Sequence, residues 1–345
     1  MSRAQQQTVF RVKEKNILSG IVKCQESIPI PQPHEVLVRI HAVSLNFRDY
    51  LPFSSKYPLP VKQDVVPGSD MAGEVLSIGS AVLGFKQGDR VTANFDQNHW
   101  YGTLPDERVI LAGSIDGVLQ EYRIFPEMGL LHIPKHLSYE EASCWPCAGV
   151  TAWNALFGGA PLVPGQTVLF QGTGGVSIAG LILAHAAGAK TIVTSSSEDK
   201  LEIAKKLGAT HVVNYKREPD WDQVVLKITD GIGAHLILDN VGAQEIERCY
   251  NCVARGGTIA SIGFLGNNPE KVPDIAMLNL LKCVTLRGVY VGSKQLHEDL
   301  LRFVGANELR PHIDKVFPFE QTPEAIDYLS RGQHTGKIVI RVVPQ

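Results

Sequence analysis

One glycine-rich segment has the residue types and spacing of a phosphate-binding loop, and it reads Gly172, Thr173, Gly174, Gly175, Val176, Ser177. It follows an apolar run, Thr167–Gln171, and opens a small-residue stretch, Val176–Ala187, that is predicted to be helical. Gly172 permits a tight turn, and Gly174 lets the backbone approach a pyrophosphate held by the helix N-terminus. Ser177 replaces the usual third glycine and is still small. The segment predicts a dinucleotide site, with a ligand-free glycine turn as the alternative.

The end of the next strand bears on which dinucleotide binds. Proteins that bind NAD place a carboxylate about 20 positions after the first glycine, where it holds the ribose 2′-hydroxyl. Here the strand ends in Thr194, Ser195 and Ser196, and the first carboxylate, Glu198, already belongs to the next helix. Serine hydroxyls can donate to a 2′-phosphate, and Lys200 can reach it as a point charge. The pattern favours NADP(H) over NAD(H), unless Lys200 is an ordinary solvated lysine.

The composition is that of a soluble globular protein. The chain has 345 residues, 44% hydrophobic and 20% charged, with a formal net charge of −2. This charge gives no global positive field for nucleic acid or an anionic membrane. No apolar run approaches the ~20 residues of a membrane span, and the N-terminus lacks the apolar core of a secretory signal. We therefore expect a cytoplasmic protein without nucleic-acid or membrane partners, and its six scattered cysteines fit a reducing compartment.

The predicted elements that would position these residues follow two different sequence patterns. Up to about residue 145 the chain reads as short strands, with a curved, glycine-punctuated strand at Gly68–Gly79 and a loop or lobe at Asn94–Gly117. From Thr167 onward, apolar runs alternate with helical segments, which predicts six strands in a doubly wound parallel sheet. The final residues return to strand texture and end in Lys337–Val343.

Several motifs in a fixed order carry a family resemblance: Pro67–Val75, Gly88–Val91, Gly117–Tyr122, Ala148–Trp153 and Gln171–Val176. Over nearly the whole chain they resemble the medium-chain dehydrogenase/reductase superfamily, especially its alcohol-dehydrogenase-like and quinone-reductase-like members. The resemblance implies an α/β protein with a GroES-like β-barrel catalytic domain over residues 1–148. It also implies a Rossmann NADP-binding domain with a six-stranded parallel sheet over 149–292, and a segment, 293–345, that completes the catalytic domain.

The same resemblance implies an active site in the cleft between the two domains. Asn46, Tyr57 and Thr151 match cleft positions of the quinone-reductase-like members, and Lys200 with Tyr215 resembles their 2′-phosphate-binding pair. We expect Tyr57 to donate to a substrate carbonyl or supply a proton, unless it is a structural aromatic, and Asn46 to orient the carbonyl or the nicotinamide ribose. The predicted cofactor-binding set is Thr151, Gly172, Thr173, Gly174, Gly175, Val176, Ser195, Ser196, Lys200, Tyr215, Gly263 and Phe264.

Zinc is not expected. The three ligand positions of zinc-dependent relatives fall at Asn46, Ser69 and Cys147, and only the cysteine is a good zinc ligand. Two carboxylates at supporting positions, Asp49 and Asp70, could coordinate a metal but do not complete a zinc site. The structural zinc of the family needs four clustered cysteines, and residues 92–140 contain none.

Two cysteine pairs have a CxxC spacing. Cys144 and Cys147 have the spacing of a redox pair, but they lie in the segment that resembles the family's domain crossing. Cys249 and Cys252 have helical spacing and are expected to face a core. We therefore interpret all four as thiols without special chemistry.

These observations predict a zinc-independent, NADP(H)-dependent oxidoreductase that reduces an activated C=C or C=O bond of a small enone, quinone or aldehyde. The alternatives are an alcohol dehydrogenase, a partner-dependent biosynthetic reductase, and a non-enzymatic, NADPH-binding crystallin-like protein. A homodimer is also expected, because the apolar strand at Val284–Tyr290 is predicted to lie at a sheet edge that a second copy could pair with. Arg287 in its middle argues the other way, since a charge can protect a solitary edge.

Overall fold

The computed structural model describes residues 5–14, 18–50, 60–263, 266 and 273–343. The chain divides into two compact units. The first unit comprises residues 1–150 and 292–345, and the second unit comprises residues 151–291.

The first part of the first unit is built from strands, as the sequence predicts. Its elements are β1 (Gln6–Val12), β2 (Ile21–Ser27), β3 (Glu35–Leu45), α1 (Phe47–Tyr50), β4 (Asp70–Ile78), β5 (Arg90–Ala93), β6 (Tyr122–Pro126), β7 (Leu130–His132) and α2 (Tyr139–Ser143). The strand predicted around Val36 is β3, in which Val36, Val38 and Ile40 are fully buried. Burial in β3 is not confined to alternate residues, because Leu37 and residues 42–45 are buried as well, so both faces of the strand are largely covered and not one as predicted.

Between β5 and β6 lies the lobe predicted from the sequence. It has no regular strand or helix, only isolated bridges that join Asp96 to Ile110 and Leu111 to Ile115. Its centre is the buried carboxylate of Asp96, which accepts hydrogen bonds from the backbone N–H groups of Asn98 and Val109 and lies 3.6 Å from Arg108. The lobe is therefore organised by its own polar side chains.

The second unit is a parallel sheet with helices between its strands. Its first helix, α3 (Val150–Phe157), begins one residue before the second unit does. The elements that follow are β8 (Thr167–Gln171), α4 (Gly175–Ala186), β9 (Lys190–Ser195), α5 (Glu198–Lys206), β10 (His211–Asn214), α6 (Trp221–Ile228), β11 (Ala234–Asp239), α7 (Ile246–Cys252), β12 (Val253–Ser261), α8 (Ile275–Lys282) and β13 (Thr285–Gly288). The six strands lie in the order β10-β9-β8-β11-β12-β13, and every pairing is parallel. The predicted doubly wound sheet is confirmed, and its order reverses between β8 and β11, where such sheets bind ligands.

The chain then returns to the first unit. The closing elements are α9 (Lys294–Ala306), β14 (Ile313–Pro318), α10 (Thr322–Ser330) and β15 (Lys337–Arg341). They extend a seven-stranded sheet of order β14-β15-β3-β4-β5-β7, to which β6 adds by pairing with β3. β15 lies antiparallel to β3, with Ile338 opposite Leu45. This pairing brings the first residue of β15, Lys337, next to the end of β3.

Candidate functional site

The glycine segment lies where the sequence predicts, between β8 and α4. Gly172 has a φ of +76°, a left-handed conformation that favours glycine, and its N–H donates to Thr194 O at 2.9 Å. Gly174 is the N-cap of α4 and makes no side-chain capping bond. The first N–H groups of this twelve-residue helix therefore have no side-chain cap, as an anion-binding terminus requires.

Among the described residues, none makes contact that would require glycine at position 174. Its φ of −74° is open to any residue, and a Cβ placed on it would meet no atom within 4 Å. A Cβ placed on Gly172 would likewise meet no atom within 4 Å. Open space over an uncapped helix terminus suits a ligand whose phosphates approach the backbone closely.

The position after the glycines locks the loop. Ser177 Oγ donates to Gln171 O at 2.8 Å, so the start of α4 is tied to the end of β8. Asn240, which follows β11, donates to Ser177 Oγ at 2.9 Å, and its N–H donates to the side chain of Gln171 at 3.2 Å. Asn240 is not among the predicted site residues, and its one signal in the sequence is its position directly after a buried strand.

The residues expected to choose the nucleotide lie together at the ends of β9 and β10. Ser195 is buried, Ser196 is half-buried, and the N–H of the exposed Tyr215 donates to Ser195 O at 3.1 Å. Lys200 is half-buried in the first turn of α5.

The nearest carboxylate is already engaged. Glu198 accepts a hydrogen bond from Asn214 and lies 3.2 Å from the guanidinium of Arg217. Arg217, which is not among the predicted site residues, thus brings a second positive charge to the ends of β9 and β10.

Two further predicted positions of the second unit can be placed. Gly263 follows β12, and a Cβ there would lie 1.9 Å from Asn240 O, so only glycine fits. Its N–H donates to Asp239 O at 3.1 Å. Thr151 is buried in α3. Phe264, like Tyr57 of the first unit, lies outside the described residues.

A buried polar cluster in the first unit contains Asn46, which the sequence singled out. Asn46 Nδ2 lies 3.4 Å from Ser69 Oγ, and Ser69 Oγ donates to Asp70 Oδ1 at 2.7 Å. The other oxygen of Asp70 accepts from the Cys147 N–H at 3.0 Å. Lys337 Nζ donates to Asn46 Oδ1 at 2.5 Å and lies 3.8 Å from Asp70 Oδ2. We call Asn46, Ser69, Asp70, Cys147 and Lys337 the amide cluster.

Asp49 holds the backbone of Asn46, a member of the amide cluster. Its Oδ2 accepts from the Asn46 N–H at 2.8 Å, and Arg48 lies 3.7 Å from its Oδ1. Burial raises the pKa of Asp49 to about 6, against the opposing effect of the Arg48 charge. The carboxylate thus holds the backbone at the start of α1, directly after Asn46.

The donor set of the amide cluster does not fit zinc. An amide and a hydroxyl occupy two of the positions that carry zinc ligands in relatives, and an ammonium donates to the amide oxygen that would have to face a metal. Without a metal, burial raises the pKa of the Cys147 thiol above its ordinary range. Among the described residues, no group of three or more His, Cys, Asp or Glu side chains is arranged to hold a metal ion.

The two CxxC pairs are reduced and largely buried. None of the six cysteines forms a disulfide, and Cys144, Cys249 and Cys252 are buried. Burial raises the pKa of Cys144 to about 12 and that of Cys252 to about 12, which disfavours the reactive thiolate. This agrees with the interpretation of both CxxC pairs as ordinary thiols.

Comparison with known proteins gives this architecture a family. Residues 32–135 match the family described as alcohol dehydrogenase GroES-like domain, and residues 175–306 match the one described as zinc-binding dehydrogenase. A zinc-type alcohol dehydrogenase-like protein of Schizosaccharomyces pombe is 43% identical over 92% of this chain and 94% of its own length. The chain belongs to the medium-chain dehydrogenase/reductase superfamily. The predicted family and the predicted enzyme class, an oxidoreductase, are thereby confirmed.

Two other members illustrate the range of the superfamily around this chain. Quinone oxidoreductase-like protein 2 of Bos taurus is 30% identical over 92% of this chain and 88% of its own length. A solved structure of an NAD-dependent alcohol dehydrogenase matches with a TM-score of 0.89 and 32% identity, over 97% of this chain and 100% of the other. The zinc-binding dehydrogenase match covers 175–306, which includes none of Asn46, Ser69 and Cys147. The word zinc in that description therefore says nothing about the amide cluster.

Proposed function

We propose that this superfamily member is a zinc-independent, NADP(H)-dependent oxidoreductase that reduces an activated C=C or C=O bond, as in an enone, quinone or aldehyde. The observation that carries the proposal is the amide cluster. By resemblance, Asn46 and Ser69 fall where zinc-dependent relatives place metal ligands, and the buried Lys337 ammonium donates to Asn46. The substrate oxygen is then stabilised by hydrogen bonds instead of a metal.

The protein groups have limited chemistry to perform in such a reaction. The nicotinamide supplies the hydride when it is bound, so the protein must position the substrate and stabilise charge on its oxygen. The Asn46 amide N–H is a suitable donor for that oxygen. Tyr57 remains our candidate for a second donor or a proton source.

The preference for NADP(H) belongs to the proposal as well. The strand end offers Ser195 and Ser196, with Lys200 on the following helix. The first carboxylate after them, Glu198, is held by Asn214 and Arg217, which leaves it poorly placed to receive a ribose 2′-hydroxyl. A relative named as NAD-dependent makes a direct comparison of the two nucleotides necessary.

The proposal is tested by following NADPH oxidation by the purified protein across a panel of enones, quinones and aldehydes, with and without a chelator. Chelator-resistant turnover of at least one of these substrates is expected. The same panel should include primary and secondary alcohols with NADP⁺. Turnover of alcohols alone would support the alcohol dehydrogenase alternative, and tight NADPH binding without turnover would support a non-enzymatic role.

Metal content is a separate test. Elemental analysis of protein purified without chelators should give well below one zinc per chain. Near-stoichiometric zinc, together with loss of activity on chelation, would refute the metal-independent part of the proposal.

A further inference from the structure

Lys337 is a buried lysine at the start of a strand. It opens β15, where the next three residues are buried, and its own side chain is only 5% exposed. Nζ donates to Leu45 O at 2.8 Å and to Asn46 Oδ1 at 2.5 Å, and it lies 3.8 Å from Asp70 Oδ2. Two of these oxygens accept hydrogen bonds from the ammonium, and the Asp70 carboxylate is an ion-pair partner. Burying a charge has a large desolvation cost unless partners compensate it, so the partners of the Lys337 ammonium indicate its role.

The ammonium fixes which way the Asn46 amide faces. A lysine ammonium can only donate, so the Asn46 atom against it must be the oxygen. Nδ2 then lies on the other side, 3.4 Å from Ser69 Oγ. Ser69 has already given its own hydrogen to Asp70, so its oxygen is left to accept. Contacts on both sides therefore impose the same amide orientation.

The orientation leaves one N–H of Asn46 available. An amide nitrogen carries two hydrogens, and within the described part of the chain only Ser69 is a partner for them. Asn46 is not completely enclosed, since 9% of its surface is exposed. Because the ammonium withdraws electron density through Oδ1, the remaining N–H becomes a stronger donor.

We propose that Lys337 is a positioning residue, which through Asn46 presents a polarised amide N–H to the substrate oxygen. This rests on the proposed reductase function. For a carbonyl substrate, the carbon gains a hydride as NADPH is oxidised, the C=O electron pair moves to the oxygen, and the oxygen then takes up a proton from Tyr57 or solvent. The amide N–H stabilises the oxygen while it is negative, and Lys337 keeps that N–H in place.

A double-mutant cycle tests the coupling. Asn46→Ala should lower kcat about 100-fold, the usual effect of losing an oxyanion donor. Lys337→Met should lower kcat about 10-fold in the wild type, because the amide is no longer held or polarised. In the Asn46→Ala background, Lys337→Met should change kcat less than about twofold, since the group through which it acts is gone. Equal losses in both backgrounds would overturn the proposal, because they would show that Lys337 does not act through Asn46.

Lys315→Met is the matched control. Lys315 lies on the neighbouring strand β14, opposite Ile338, and it is exposed. This variant should keep the wild-type kcat. Neither lysine variant should alter the dissociation constant of NADPH measured by fluorescence. If Lys337→Met does not fold, the same cycle is run with Lys337→Arg, which keeps the charge and moves the donors, and the same non-additivity is expected.

A spectroscopic readout separates this inference from the function itself. With ¹⁵N-labelled asparagine, the side-chain signal of Asn46 is identified by its loss in Asn46→Ala. Its hydrogens should exchange with solvent slowly in the wild type and faster in Lys337→Met or Lys337→Arg. Unchanged exchange would overturn the role of Lys337 even in an active enzyme. Changed exchange in a protein that reduces no substrate would uphold the orientation while the reductase function fails.

Discussion

Arg287 donates two hydrogen bonds to Asn154, one to its backbone oxygen at 2.8 Å and one to its side-chain oxygen at 2.5 Å. The side-chain amide of Asn154 donates in turn to Val291 O at 2.7 Å. The Arg287 guanidinium, in the middle of β13, therefore binds to α3 and does not protect the strand edge from pairing. Beside this edge, α8 exposes Met277, Leu280 and Leu281. An open edge next to exposed apolar side chains favours pairing with a second copy.

We predict a homodimer that forms through β13. The N–H of Val289 points into the sheet, toward Ser261 O, so by alternation the N–H of Leu286 points outward. Leu286→Pro removes that donor and should shift the protein to monomer at micromolar concentration, as measured by light scattering. Leu286→Ala keeps the donor and should stay dimeric. A dimer that survives the proline would place the contact elsewhere.

We predict tighter binding of NADPH than of NADH, as measured by fluorescence titration at one salt concentration. Lys200→Ala should weaken NADPH binding about tenfold, because a charge-assisted contact to the 2′-phosphate is lost. The same change should leave NADH binding nearly unaltered. Lys206→Ala, in the last turn of the same helix, is the control and should affect neither nucleotide. Equal or tighter binding of NADH to the wild type would contradict the prediction.

His297 should make the protein sensitive to acid. It is fully buried in α9, its two ring nitrogens have no partner among the described residues, and burial lowers its pKa to about 3. The folded protein holds the ring neutral, whereas the unfolded chain protonates it below about pH 6.5, so stability is lost as the pH falls below that value. From about pH 7 to about pH 5, this costs about 2 kcal/mol. His297→Leu should remove that loss from the urea-unfolding free energy.

Asp49 should act in the opposite direction. Its pKa is raised to about 6 in the folded state, above the value of about 3.9 in an unfolded chain. The protonated form therefore stabilises the fold below about pH 4, and this contribution is lost as the pH rises to about 6. Relative to the wild type, Asp49→Asn should gain up to about 3 kcal/mol between about pH 4 and about pH 7. A pH-independent difference between the two proteins would show that the pKa of Asp49 is not raised in the folded state.

The sequence predicts the second unit well because each of its elements signals itself locally. β8 is a continuous apolar run, the glycines end it, and α4 follows within one residue of the predicted start. Such a pattern needs no knowledge of distant residues. The lobe after β5 shows the opposite, because its polar centre joins residues whose spacing has no period.

The amide cluster shows where sequence reasoning ends. Asn46, Ser69 and Cys147 can be found by matching positions, but Lys337 reads as the start of a final strand and nothing more. It lies 291 residues from Asn46 along the chain, and only the antiparallel pairing of β15 with β3 brings the two together. The one local signal is a lysine at the head of an apolar strand, which an exposed end residue would give equally well.

The lobe between β5 and β6 has a consequence for how the protein matures. It is fastened by the Asp96 carboxylate and by Asn94, whose side chain donates to Asp96 O at 2.7 Å and to His99 O at 3.2 Å. We expect assembly of this lobe in a cell to need neither a zinc supply nor a metal-delivery step, because its own side chains close it. The lobe depends instead on the Asp96 carboxylate, so a substitution at this position would remove bonds that no added ion can replace.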